Sequence, residues 1–237
     1  MRVATKITKS FGFLLSILFN AKKNMTIAPQ ITKALSLLDL HFNSFHAAEP
    51  FAKETGHPVP MDTRGWSQIL ASTLTDIKGL ERKKGADLDD GSDVKGANTW
   101  KAIDTPRFNG VIKAGTKSSV SDKMESLDEV PHLYLVLWDE TTRNTARCRI
   151  WVIRPQEDIL FRAMCEMWYK NRSDGEIKST NFQLHPPRGK DTNVIRNTCG
   201  NLVYPLFFSA EKAEGKEYQL THYDPEILIS GSCAKFP

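Results

Sequence analysis

The chain has 237 residues, 40% of them hydrophobic and 25% charged, with a formal net charge of +4. That is enough for one domain with a real core, and the balance excludes both a disordered and a membrane-filling protein. The mild positive charge suits a polyanionic partner without requiring one.

At the amino terminus, basic residues precede an apolar run from Phe11 to Phe19, followed by Asn20 and Ala21. This layout is shared with secretory signals, and the run is too short to span a bilayer. Nothing later in the chain looks secreted. The other two readings are a first helix packed on the domain, or a native start at Met25. From 27 to 51, Ile31, Leu35, Leu38 and Phe42 recur at helical spacing, predicting one amphipathic helix or two. After two prolines, Trp66, Ile69, Leu70, Thr73, Leu74 and Ile77 predict a second helix, with Gly79 as its stop.

The polar stretch from 101 to 129 reads as a long loop. "HLYLVLW", 132 to 138, predicts a central strand buried on both faces. "ARCRIWVI", 146 to 153, alternates Cys148, Ile150 and Val152 with Arg147 and Arg149, as a half-exposed strand does. Between 157 and 170, helical spacing returns through Ile159, Leu160, Ala163, Met164, Met167 and Trp168. This order of elements predicts a mixed α/β domain around one sheet. Cys148, Cys165, Cys199 and Cys233 form neither a zinc-binding spacing nor a disulfide framework, so a reducing compartment, the cytoplasm, is expected.

The segment "GADLDDGSDVKGANTW", 85 to 100, carries the chemistry. It is not a calcium-binding EF-hand loop: with Gly91 at the sixth position, the first, third and twelfth positions are Ala86, Leu88 and Ala97. Asp89-Asp90-Gly91 does suit a three-residue hairpin bend with a left-handed glycine. In that register Asp87 lies opposite Asp93, Lys95 joins them on the same face, and Val94 points into the core. Carboxylates facing each other repel, and a divalent cation relieves the repulsion. Hard oxygen ligands suit Mg2+, which keeps several waters and takes further ligands from a substrate phosphate. Lys95 can hold or deprotonate an attacking water and offset charge on the phosphate. A tighter bend would put Asp90 in the place of Asp87.

Asp87 with Asp93-Val94-Lys95 resembles the active-site signature of PD-(D/E)xK nucleases. Together with the preceding helix, "HPVPMDTRGWSQIL", "ANTWKAIDTPRFNG" and "FQLHPPRGKDTNVIRNTCGNL", it is similar to the MamI type of type II restriction endonuclease over roughly residues 55 to 208. The resemblance implies a restriction-endonuclease-like mixed central sheet flanked by helices. It also implies magnesium held by Asp87, Asp93 and the Val94 carbonyl, with Lys95 as the catalytic lysine. Ala86 stands where the family proline would be, and the helix that carries a glutamate in many relatives offers only Gln68 or Asp76. On this reading residues 1–54 form an amino-terminal helical segment of uncertain role and 55–237 the nuclease domain.

Phosphate contacts give affinity to a DNA-binding protein, and base edges give it specificity. Lys101, Arg107 and Lys113 lie in a loop expected to order on DNA; Arg188, Lys190, Asn193, Arg196 and Asn197 are of types that bond guanine and adenine edges. Double-stranded DNA is the expected substrate and a homodimer the expected assembly. Two alternatives stand beside site-specific cleavage: a nicking or repair nuclease on the same scaffold, and a DNA-binding protein without catalysis.

Overall fold

The computed structural model of the chain describes residues 28–60, 62–81, 85–100, 105–112, 125–142, 144–187, 189, 192–230 and 234–237. The apolar run of the amino terminus lies outside them. Helix α1 (Pro29–Thr55) opens with a proline in its first turn and ends at Gly56, whose left-handed φ of 71° closes the last turn onto the Ala52 carbonyl. Ile31, Ala34, Leu38, His41, Phe45 and Ala52 form its buried stripe. Helix α2 (Arg64–Thr75) ends at Asp76, also left-handed, before the expected glycine. Its buried stripe is Ser67, Leu70, Ala71 and Leu74, while Ile69 is 54% exposed. The expected stripe is thus rotated, because Ser67 faces the sheet.

Five strands make the main sheet: β1 (Asp93–Asn98), β2 (Leu133–Thr142), β3 (Thr145–Ile153), β6 (Leu206–Lys212) and β7 (Gln219–Tyr223). They stand in the order β1-β2-β3-β6-β7, with β1 and β2 parallel and the other pairs antiparallel. Short helix α3 (Glu125–Asp128) precedes β2, and α4 (Ile159–Ser173) follows β3. Strands β4 (Val194–Asn197) and β5 (Gly200–Val203) form a separate hairpin, and a 3-10 turn (Pro225–Leu228) follows β7.

Alternation sorts the sheet into two cores. One face sends Val94, Tyr134, Val136, Trp138, Cys148 and Ile150 against α1 and α2. The other sends Leu133, Leu135, Leu137, Trp151 and Ile153 against α4, Phe108, Phe182 and the β4–β5 hairpin. β2 is therefore buried on both faces, as its unbroken apolar run predicts.

Several details differ from the sequence expectation. Arg147 and Arg149 are 6% and 3% exposed rather than solvated, because Asp139 on β2 accepts from both at 2.7 Å. The Arg149 guanidinium also stacks 4.8 Å from the Trp151 ring. In α4 the buried residues are Phe161, Met164, Cys165, Trp168 and Tyr169, leaving Ile159 and Met167 outside. Asp158 sets this start by accepting from the Phe161 N–H at 2.9 Å as the N-cap. Residues 105 to 112 are not a free loop: Phe108 pairs with Leu184, and Val111 and Ile112 are buried. Among the described residues, no helix is long and apolar enough to cross a membrane.

His41 packs against Trp66, Trp100 and Trp138 at ring-centroid distances of 5.0, 4.9 and 4.3 Å. Burial lowers its pKa from 6.5 to about 4. The unfolded chain therefore takes up this proton first as pH falls. The stability that neutral His41 contributes is whole above pH 6.5, erodes below it and is gone below about 4. A His41→Phe variant is expected to show a flatter dependence of melting temperature on pH over that window, by at most about 1.4 kcal/mol per pH unit. Parallel curves for the two proteins would refute this.

Candidate active site

The site is built at the sheet's open edge. β1 is an edge strand whose inner side faces β2: the Asp93 N–H donates to the His132 carbonyl at 3.0 Å. Alternation then turns the Val94 N–H and carbonyl outward. That outward N–H meets Asp87, whose Oδ2 accepts it at 2.9 Å. The Val94 side chain goes into the core, 3% exposed.

Asp87 reaches this place by a route other than the expected hairpin. Among the described residues no strand precedes the bend; instead the residues after α2 pair with it, through a Gly79–Leu88 bridge and bonds from Leu80 N to the Asp87 carbonyl and Asp89 N to the Lys78 carbonyl. The bend itself has the expected form. Gly91 adopts a φ of +94°, its N–H donates to the Leu88 carbonyl at 3.1 Å, and Leu88 N–H donates to the Ser92 carbonyl at 3.0 Å. A Cβ at Gly91 would also come within 3.1 Å of the Glu129 carbonyl, a close fit that adds to the preference for glycine set by its φ.

Asp87, Asp93 and Lys95 converge. Lys95 Nζ lies 2.5 Å from Asp93 Oδ2, and both side chains are 19% exposed. The Asp93 carboxyl neighbours that of Asp87, which is 7% exposed. Burial, and then this neighbouring carboxyl, push the Asp93 pKa up to about 6 against the opposing pull of Lys95. Two half-sequestered carboxyl groups with an outward main-chain carbonyl beside them form a hard-oxygen donor set that a divalent cation fits. Among the described residues no cluster holds three or more His, Cys, Asp and Glu side chains suited to a metal. The donor set here is two carboxylates plus backbone.

Asp90 is engaged elsewhere. Its Oδ1 accepts the Ser92 N–H at 2.9 Å, its Oδ2 accepts the Ser92 hydroxyl at 2.8 Å, and His132 lies 3.8 Å away. Asp87, and not Asp90, is the carboxylate that lies beside Asp93 and bonds to the Val94 N–H.

One contact at the site emerges only in three dimensions. Gln68, on α2, donates from Nε2 to Asp87 Oδ1 at 2.6 Å. The sequence offered it merely as a poor substitute for an acid. The signal that could have found it is Gly96, because a glycine inside a strand marks a close approach. A Cβ at Gly96 would lie 2.6 Å from Ser67 Oγ, so the bare strand is what lets α2 come in.

An open cleft of about 580 Å³ continues along the same edge beyond Lys95, lined by Gly96, Ala97, Asn98, Thr63, Arg64 and Arg107. Of the candidate DNA-binding residues, Arg107 lines this cleft, whereas Lys101, Lys113, Arg188 and Lys190 lie outside the described residues. The stretch 194 to 203 is a β-hairpin, not irregular chain. Asn197 spends its carboxamide on that hairpin: Nδ2 donates to the Gln183 carbonyl at 2.5 Å, and Oδ1 accepts from Cys199 N at 2.8 Å. Asn193 Oδ1 accepts from Trp151 Nε1 at 3.1 Å. Arg196 pairs through its backbone with His185, in both directions.

Residues 50–217 match the sequence model of the MamI restriction endonuclease family. A similar protein is the type II restriction enzyme MamI of Microbacterium ammoniaphilum, 32% identical over an alignment of 178 residues that covers 70% of this chain and 57% of that one. The chain thus spans little more than half the length of this relative. No solved structure matches.

The division of labour between the aspartates is open to measurement. Asp90→Ala is expected to cost about 1 kcal/mol of stability, the worth of its bonds to Ser92, and to leave divalent-cation binding unchanged in titration calorimetry. Asp87→Ala is expected to lose that binding. The reverse pattern would assign the role to Asp90.

Proposed function

The chain belongs to the MamI restriction endonuclease family, and from that premise we propose that it is a magnesium-dependent endonuclease that hydrolyses both strands of duplex DNA at a short defined site. The observation that carries the proposal is the convergence of Asp87, Asp93 and Lys95 at the open edge of β1. A structural bend has no use for two carboxyl groups pressed together below solvent level, and a cation-dependent phosphoryl chemistry does.

Asp87 Oδ, Asp93 Oδ and the outward Val94 carbonyl would hold Mg2+. When bound, the ion supplies Lewis-acid stabilisation of the charge that grows on the phosphate oxygens. The protein's own groups do the rest. Asp87 is held in place by Gln68 and the Val94 N–H, so its oxygens keep a fixed direction. Lys95, anchored by Asp93, offers an ammonium that orients the attacking water and offsets negative charge on the phosphate. Water oxygen bonds to phosphorus as the bond to the departing oxygen breaks in line with it; the water's proton passes to solvent, and the departing oxygen takes one from solvent.

The scissile strand is assigned to the cleft along β1, where Arg64 and Arg107 supply cations for flanking phosphates. Base reading is assigned to the 185–201 region with Arg188, Lys190 and Arg196, and further phosphate contacts to the basic segment holding Lys101 and Lys113. Asn193 and Asn197 serve instead to shape that region, since Trp151 and the hairpin turn engage them. Cutting two strands of a twofold-symmetric site calls for two copies of the chain, hence a homodimer. The nuclease unit is residues 55–237 and its working compartment the cytoplasm.

Incubation of the purified protein with plasmid and phage DNA is expected to give a discrete fragment ladder with Mg2+ and none with EDTA. Asp93→Ala is expected to lower the cleavage rate roughly a thousandfold or more, equivalent to about 4 kcal/mol, with salt-sensitive DNA binding retained. Cleavage by this variant at the parental rate would refute the assignment. Salt-sensitive binding without product at any magnesium concentration would indicate a DNA-binding protein with no catalytic role.

A further inference from the structure

We infer that Gln68 is a positioning residue that locks the Asp87 carboxylate in the orientation needed for metal binding, and that α2 is packed on β1 to deliver it; this rests on the reading of Asp87 as a metal ligand.

The grip on Asp87 comes from two separate elements. Gln68 Nε2, from α2, donates to Oδ1 at 2.6 Å, and the Val94 N–H, from β1, donates to Oδ2 at 2.9 Å. A carboxylate held at one oxygen can still swing about the other. Held at both, it has one plane, and each oxygen keeps a lone pair for a cation. The carboxamide orientation is forced as well, because an ionised carboxylate can only accept, so the NH2 group must face Asp87.

Delivery is equally constrained. Ser67, the neighbour of Gln68, is fully buried, donates to the Thr63 carbonyl at 2.7 Å and accepts from Trp138 Nε1 at 2.9 Å. The hydroxyl thus ties α2 to β2 directly above Gly96, whose missing Cβ makes the approach possible. Gln68 follows Ser67 on the helix and projects to the outer edge, where Asp87 waits. Beside the pair lies a cavity of about 350 Å³, lined by both Gln68 and Asp87 together with Gly79 and Glu81 among others, so the carboxylate has open space into which it could turn. Without the Gln68 carboxamide, nothing from α2 would stop Asp87 from turning away from Asp93.

A positioning group of this kind acts on cation affinity without touching substrate, and loss of such an outer partner lowers affinity about 10- to 100-fold. The test uses the full chain and Mg2+ alone, followed by titration calorimetry and by the magnesium-dependent rise in melting temperature. Gln68→Met, similar in length and equally at home in a helix, is expected to bind Mg2+ about tenfold or more weakly. Its melting temperature in EDTA is expected to fall only by the loss of one hydrogen bond to a carboxylate, its salt-sensitive DNA binding in EDTA is expected to stay near that of the parent, and high magnesium is expected to restore cleavage. Gln68→Asn, which keeps the amide but draws it back by one carbon, is expected to behave the same way and serves if the first variant does not fold. Parental magnesium affinity in either folded variant, with Asp93→Ala losing it, would overturn this inference and leave the active-site reading intact. Failure of the parent itself to bind Mg2+ would overturn both.

Discussion

The bond from the Val94 N–H to the Asp87 carboxylate depends on β1 having no neighbour on its outer side. In an interior strand that N–H would belong to the ladder, and a carboxylate approaching it would meet another strand. Edge strands carry a row of unpaired donors and acceptors that proteins must cover or block. Here a side chain takes the donor, and in doing so places one acid against another. The same bond therefore caps part of an exposed edge and places Asp87 beside Asp93, and a cleft lined by Gly96, Ala97 and Asn98 continues along that edge.

What the sequence revealed of the site was its local part. Alternation along Asp93-Val94-Lys95 separates the polar pair from the core residue without any knowledge of the partner strand, and the left-handed glycine at 91 follows from bend chemistry. The partner strands were not legible. The bend looked like the tip of a hairpin, yet β1 pairs in parallel with a strand that starts at Leu133, and the arm carrying Asp87 pairs with residues next to α2. Short-range pattern fixes which way a side chain points, and leaves open what stands beside the backbone. Gln68 belongs to that second kind of information, since its partner is 19 residues away.

Hydrophobic pattern misled where polar groups were buried in pairs. Arg147 and Arg149 scored as an exposed face of β3, and a single carboxylate, Asp139, makes their burial tolerable. Ser67 likewise displaced Ile69 from the inner stripe of α2 because its hydroxyl has two partners there. The asparagines of the 185–201 region teach a related lesson. Their type suits base edges equally well as turns, and both have carboxamide atoms engaged within the fold. An inventory of residue types counts what a segment could offer, whereas the hydrogen bonds show what remains to be offered.

The parallel pairing of β1 with β2 has a consequence for the chain between them. A tight turn cannot join two strands that run the same way, so the polypeptide leaving Asn98 must travel back along the sheet before Leu133 can begin. Phe108, Val111, Ile112 and Leu127 mark that return across the face opposite α1 and α2. A stretch that reads in one dimension as surplus polar linker is an obligatory overpass. That a crossover stands there is owed to topology.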